Sequence, residues 1–285
     1  IEFCKSTVPQ DISFASLRIV LDCANGACYK TSPDVFKELG AEVISIGVDP
    51  DGYNINADCG STHPEIVQKE VIKHRADFGI SLDGDGDRVI IIDRNGNILD
   101  GDDLLYILAF ANPNRIGPWS GVVGTHMSNL GFEDGITKLG YKFIRADVGD
   151  KYVSNMLTKK GWMLGGETSG HIICKDLVST GDGTIAALKV ISSLLLLEKD
   201  PSEVLSNFTK MPQVNDAVKV SNKDIANDKD LLNLIKEIES DITVGRVLVR
   251  ASGTECKIRV MIEAPEEKVA KKYVKDISDL IKSKS

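Results

Sequence analysis

The sequence lacks any apolar run near the roughly 18 residues that a membrane-spanning helix needs. Its most apolar stretch, Val190 to Glu198, is far shorter and reads as a buried helix. No basic, apolar leader is present, so no signal peptide is expected. The chain opens IEFCKSTVPQ without Met and reads as a piece of a longer protein. Cysteine is sparse. Its six thiols, at 4, 23, 28, 59, 174 and 256, form no C-x-x-C pair. That spacing fits neither a zinc site nor a small disulfide scaffold, and idle thiols in a reducing cytosol suit it better. The four histidines make no H-E-x-x-H pattern, and no nucleotide P-loop, G-x-x-x-x-G-K-[ST], occurs. Basic charge is also in deficit. With 34 Lys and Arg against 42 Asp and Glu, the formal net charge is -8, and the pI is about 5.1. Such a balance argues against nucleic acid or an anionic membrane as partner.

What remains is an ordinary globular composition. Of 285 residues, 42% are hydrophobic and the mean hydropathy is -0.07, enough for a sizeable core in about two domains or more. From Leu17, LRIVLDCANGA reads as a strand running into a turn. A helix over SPDVFKELG follows, with Ser32 as cap, Pro33 as first helical residue and Gly40 as stop. Strands AEVISIGV, ADFGISLD and RVIIID alternate with a helix whose apolar positions are Ile66, Val67, Val71 and Ile72. The same alternation resumes after Asn97. Helix DGDDLLYILAFA is capped by Asp100 or Asp102, and TGDGTIAALKVISSLLLLEK by Thr180 or Asp182. After Pro201 the pattern changes to strand, helix, strand, strand, helix. There VGRVLVRASG and KIRVMIEA alternate as half-buried antiparallel strands do. The expected architecture is α/β. Two consecutive three-layer α/β/α domains with mixed, mostly parallel sheets span residues 1–98 and 99–208, and a smaller α+β domain spans 209–285.

Four stretches carry chemistry. In SLDGDGDRVIIID, Asp83, Asp85 and Asp87 lie between two apolar runs. Alternate residues of a strand share a face, and Gly84 and Gly86 let the backbone curl. Three carboxylates brought to one point repel, so a cation belongs among them. Hard oxygens suit Mg²⁺, Ca²⁺ or Mn²⁺. An EF-hand is excluded, because Arg88 and Arg94 stand where its Gly and Glu belong. The dinucleotide fingerprint fails at Val89. In GGETSGH, Glu167 and Ser169 offer the acceptors and donors that a polyhydroxylated ligand needs, although a tight turn alone would also explain the stretch. In VRASGTECKIRV, Arg250 and Arg259 flank Ser252, Gly253 and Thr254, which are the parts of a phosphate cradle. In DVGDKYV, Lys151 sits at a helix start, where an anion is favoured. Metal site, hydroxyl reader and phosphate cradle together imply a phosphorylated sugar held in a cleft.

DGDGDR, GGE-x-SGH and R-x-SGTE-x-x-IR, in this order, resemble the α-D-phosphohexomutase superfamily. VLDCANGA, NINADCGSTHPE, VVGTHMSNLG and VGDKYV make the chain most similar to its bacterial phosphoglucosamine mutase branch. Thr168 departs from the Gln or Asn more usual there, and Cys256 from a frequent Pro. The resemblance implies a cytoplasmic four-domain enzyme of which this chain holds the second, third and fourth domains. By it, Asp83, Asp85 and Asp87 bind Mg²⁺. Glu167 and Ser169 read sugar hydroxyls with His171 beside them. Arg250, Ser252, Gly253, Thr254 and Arg259 hold the non-reacting phosphate, and Lys151 and Arg88 line the catalytic cleft. The implied reaction interconverts glucosamine 6-phosphate and glucosamine 1-phosphate through an enzyme phosphoserine and a bisphosphate sugar. The serine belongs to a T-A-S-H-N-P motif that this sequence does not contain, so its partners are a phosphorylated hexosamine and the missing N-terminal domain. A homodimer is compatible with the sequence. Phosphomannomutase or phosphoglucomutase activity, or a non-catalytic phosphosugar-binding module, stand as alternatives.

Overall fold

The computed structural model describes residues 1–253 and 255–285. A short helix, α1 (Glu2–Ser6), precedes strand β1 (Arg18–Asp22), helix α2 (Thr31–Glu38) and strand β2 (Glu42–Ile46). Helix α3 (Pro64–His74) begins with Pro64, whose missing N–H belongs to the unsatisfied first turn in any case. Strands β3 (Phe78–Leu82), β4 (Val89–Asp93) and β5 (Ile98–Leu99) complete a five-stranded sheet of order β2-β1-β3-β4-β5. The pairs β1–β2 and β1–β3 are parallel, and β3–β4 and β4–β5 are antiparallel.

Helix α4 (Gly101–Ala111), strand β6 (Gly121–Thr125), helix α5 (Leu130–Lys138), strand β7 (Lys142–Ala146) and helix α6 (Asp150–Lys160) follow. Strands β8 (Leu164–Gly166) and β9 (Ile172–Cys174) then lead to helices α7 (Gly183–Leu197) and α8 (Pro201–Leu205). The second sheet, β7-β6-β8-β9, is again mixed, with only β8–β9 antiparallel. The remaining elements are β10 (Gln213–Lys219), α9 (Lys229–Asp241), β11 (Arg246–Ala251), β12 (Lys257–Glu263) and α10 (Glu267–Lys284). They form a three-stranded antiparallel sheet, β10-β12-β11, with two helices.

The chain divides into two compact units, residues Ile1–Ser128 with Phe132–Phe208 and residues Asn129–Gly131 with Thr209–Ser285. The first unit holds both mixed sheets. What joins them is helix α7, whose Ile185, Leu188, Val190, Ile191 and Leu194 are all buried. A helix apolar on nearly every side must be covered on every side. Accordingly α7 packs on α4, on β3 and β4 of the first sheet and on β9 of the second. In the second unit, Ala270, Tyr273, Val274, Ile277 and Ile281 of α10 are buried at helical spacing, and α10 packs on β10 and β12. Each such fully buried aliphatic side chain contributes about 1.5–3 kcal/mol.

Two helix caps fall where the sequence places them. Asp100 accepts from the backbone N–H groups of Asp102 and Asp103 in a capping box, and Asp182 accepts from Ile185. The expected cap of α2 differs. Ser32 lies inside the helix, fully buried, with its hydroxyl 2.7 Å from that of Thr184. A partner 152 positions away satisfies it better than the local backbone. Among the described residues, no helix is long and apolar enough to cross a membrane.

Candidate active site

The acidic loop connects β3 to antiparallel β4, in the register Leu82↔Val89. One carboxylate oxygen from each of Asp83, Asp85 and Asp87 lies within 4.8 Å of the others. The curl is made by glycine. Gly86 has φ +76°, and a Cβ there would sit 2.3 Å from the Cys28 sulfur. A Cβ on Gly84 would meet the side chains of Asn56 and Ile55 at 2.6–2.7 Å. The backbone is clamped from both sides. Ala27 N donates to Gly84 O at 2.8 Å, and Gly183 N, at the start of α7, donates to Gly86 O at 2.8 Å.

Charge in the loop is only partly balanced. Arg88 N donates to Asp83 Oδ1 at 3.0 Å, while the Arg88 guanidinium stands 3.7–3.8 Å from Asp83 and Asp87. Burial, followed by the neighbouring Asp87 and Asp85 carboxylates, pushes Asp83 up to about 6. Asp87 Oδ1 is buried and accepts no hydrogen bond among the described residues. A buried carboxylate oxygen without a donor, in a set of three oxygen ligands, fits a hard divalent cation.

The GGETSGH stretch is the turn between β8 and β9, and it is joined to the acidic loop. Val89 N donates to Gly170 O at 3.0 Å, and Arg88 and His171 form an isolated bridge. His171 is 2% exposed, with Nδ1 3.0 Å from Asp87 Oδ2. Glu167 is 9% exposed, and its Oε1 accepts from Gly149 N at 2.9 Å. That bond ties the turn to the DVGDKYV loop, where Gly149 has φ +130° and caps α6. Ser169 and Lys151 are exposed. The Lys151 ammonium lies 4.8 Å from the centre of the Tyr152 ring.

The first unit thus brings together Asp83, Asp85, Asp87, Arg88 and His171, with Glu167 in the adjoining turn. Sequence reasoning missed Asp22 and Gly183. Asp22 is fully buried and accepts from Ala24 N at 2.8 Å and Gly60 N at 2.6 Å. It organises the 24–27 loop that holds Gly84. Its position at the end of an apolar strand, just before ANG, was the available signal.

In the second unit, Arg250 and Arg259 face one another across β11 and β12. Ser252 is buried, and a Cβ on Gly253 would meet nothing within 4 Å. Thr254 lies outside the described residues. Two further residues join the group. Lys223 donates to Ser252 O at 2.7 Å. Glu255 pairs with Arg259 at 3.1 Å and with Lys257 at 2.5 Å, and these cations hold its carboxyl below the ordinary range. Lys223 stands on a 3-10 turn far from the motif and gave no local signal.

Three family models cover most of the chain. They describe the alpha/beta/alpha domain II, the alpha/beta/alpha domain III and the C-terminal domain of phosphoglucomutase/phosphomannomutase, and match residues 2–96, 100–211 and 216–280. The phosphoglucosamine mutase of Polynucleobacter asymbioticus is 50% identical over 283 residues, which is 99% of this chain and 63% of that protein. That of Cellvibrio japonicus is 45% identical, over 99% of this chain and 64% of its own length. The chain therefore spans less than two thirds of these curated relatives. In fold, it is similar to Aspergillus fumigatus N-acetylphosphoglucosamine mutase, crystallised with GlcNAc-6P and magnesium. The TM-score is 0.78 at 21% identity, covering 97% of this chain and 68% of that one. With three successive domain models matched in order along one chain, this protein belongs to the phosphoglucomutase/phosphomannomutase family.

Proposed function

We propose that the chain is the metal-, sugar- and phosphate-binding part of a phosphosugar mutase that interconverts glucosamine 6-phosphate and glucosamine 1-phosphate. One observation carries this reading: the acidic loop and the GGETSGH turn are joined through Val89–Gly170 and Asp87–His171. A cation site and a hydroxyl-reading turn are thereby parts of one construction. The 50% identity to a phosphoglucosamine mutase supports the choice of sugar.

Roles follow from chemistry. Asp83, Asp85 and Asp87 would hold Mg²⁺, the cation in the Aspergillus structure. When bound, it neutralises charge that builds on transferring phosphoryl oxygens. Arg88 balances the loop and faces the reacting phosphate. Glu167 has one oxygen on Gly149 N and can offer the other, with the Ser169 hydroxyl, to sugar hydroxyls. Lys151 adds positive charge beside the start of α6. Arg250, Ser252, Gly253, Thr254 and Arg259 grip the phosphate that is not reacting, so remote binding energy orients the reacting end. The division of labour is by domain: 1–98 for metal, 99–208 for sugar, 209–285 for phosphate. The nucleophilic phosphoserine comes from sequence outside these 285 residues. Six free thiols suit a cytoplasmic location.

The test is ³¹P NMR of the full-length gene product with glucosamine 6-phosphate and Mg²⁺. Conversion to glucosamine 1-phosphate is expected, and none with the 285-residue chain alone. Strong preference for mannose 1-phosphate would move the protein to a sister activity. Absence of turnover with every hexose phosphate would leave a binding module.

A further inference from the structure

Helices α4 and α7 pack together with their first turns at the same end of the first unit. There Gly101 N donates to Thr168 O at 3.0 Å, and Gly183 N donates to Gly86 O at 2.8 Å. Their last turns meet at the other end. Leu108 and Ala111 of α4 and Leu196 and Leu197 of α7 line a cavity of about 570 Å³. That volume lies within the roughly 300–1,000 Å³ of small-molecule sites. None of its lining residues belongs to the acidic loop or to the β8–β9 turn. At its rim Leu196 is 53% exposed, so the cavity is open to solvent.

Charge in this cavity has a sign. Two helices running in the same direction point their negative ends at it, and neither has a basic residue in its last turn. Asp176 and Lys189 also line it. The Lys189 ammonium lies 2.7 and 2.9 Å from the Asp176 carboxylate oxygens. It is also 5.3 Å from the centre of the Trp119 ring, within cation–π range. The indole is held in place, because Met163 N donates to Pro118 O at 3.1 Å. A carboxylate, an indole face and two helix ends thus form a seat for an ammonium, and the chain's own ammonium sits in it. Lys189 hangs on a long flexible stem and is 23% exposed, so its charge can swing out to water.

We propose that this cavity binds a small organic ammonium ligand. Its apolar body lies against the leucines and the indole, and its charged end replaces the Lys189 ammonium between Asp176 and Trp119. An anion of the same shape is disfavoured by Asp176 and by both helix ends.

The probe is phenethylamine, an ammonium at pH 7. Phenethyl alcohol and phenylacetate carry the same phenyl group with no charge and with a negative one. Each is titrated into the 285-residue chain and followed by saturation-transfer NMR of the ligand. Phenethylamine should bind saturably with a millimolar dissociation constant. It should bind about three- to tenfold more tightly than the alcohol, and phenylacetate should bind most weakly. Trp119→Leu should remove the preference for the ammonium. Lys189→Met keeps the apolar stem and empties the seat, so it should strengthen phenethylamine binding about threefold or more and leave the alcohol unchanged. Melting curves report whether each variant is folded, and Lys189→Met decides the matter if Trp119→Leu is not. Absence of saturable binding, or equal affinity for the three probes, overturns the proposal. So does a preference for the ammonium that survives Trp119→Leu, which would place the ion elsewhere, at the acidic loop for instance. Unchanged or weaker phenethylamine binding in Lys189→Met overturns it as well.

Discussion

Arg250 on β11 and Arg259 on β12 stand directly opposite one another in the antiparallel register, two guanidinium groups on one face of the sheet. Like charges in that relation are destabilising, and Glu255 pairs with Lys257 and Arg259. An anion placed between the arginines would remove the repulsion. Inorganic phosphate should therefore raise the melting temperature of the chain. The gain is about 1.4 kcal/mol at ten times Kd. Arg259→Leu should abolish it. Calorimetric scans with phosphate and with sodium chloride at matched ionic strength check this. An equal rise with chloride would mean general screening and no cradle.

Asp83 makes stability depend on pH in an unusual direction. Its folded value of about 6 lies above the ordinary 3.8, so the metal-free fold prefers the protonated acid. The resulting stabilisation is complete below pH 3.8 and is lost as pH rises through 6. The size is on the order of 2–3 kcal/mol. In EDTA, Asp83→Asn should melt higher than wild type at pH 7.5, because Asn carries no charge and can still accept from Arg88 N. That advantage should vanish near pH 4. Excess Mg²⁺ at pH 7.5 should reverse the order. Thermal melts of both proteins at the two pH values decide, and an advantage that persists unchanged at pH 4 contradicts the argument.

Gly86 carries two separable costs for any other residue: a positive φ and the Cys28 sulfur 2.3 Å from where a Cβ would stand. Gly86→Ala should destabilise the chain and weaken the cation site. Cys28→Ala alone should be mild, since it removes one partly buried thiol. Adding Cys28→Ala to Gly86→Ala should recover the steric part and leave about 1–2 kcal/mol for the left-handed backbone. Denaturant melts of the four proteins in the cycle measure this. Strict additivity of the two substitutions would show that Cys28 does not press on the loop.

Much of this architecture is legible in the sequence because its determinants are local. Apolar runs mark β1, β3 and β4, and Asp100 and Asp182 cap helices within three residues of themselves. Asp83, Asp85 and Asp87 converge because their glycines are adjacent to them. What escaped has a partner far along the chain. Ser32 looks like a cap until Thr184 takes its hydroxyl. The His171 ring meets Asp87, 84 positions away. Glu167 spends one oxygen on Gly149, and Lys223 reaches Ser252, through bonds that no spacing rule encodes. Local chemistry says which groups need partners. Only packing says which partners they obtain.

Asp182 joins a helix end to the acidic loop, and its variants separate capping from charge. Its side chain accepts from Ile185 N at 2.9 Å, and the next residue, Gly183, donates its N–H to Gly86 O at 2.8 Å. The cap therefore fixes the peptide that holds the loop. Asp182→Ala should cost about 1 kcal/mol of stability and also weaken divalent-cation binding, because the Gly183–Gly86 bond loses its anchor. Asp182→Asn keeps a capping oxygen without the charge and should behave as wild type on both counts. Urea melts and Mn²⁺ titrations of the two variants provide the measurement. If the Asn variant loses cation affinity as fully as the Ala variant, the carboxylate charge itself attracts the ion. Asp182 would then act through its field rather than through the helix it caps.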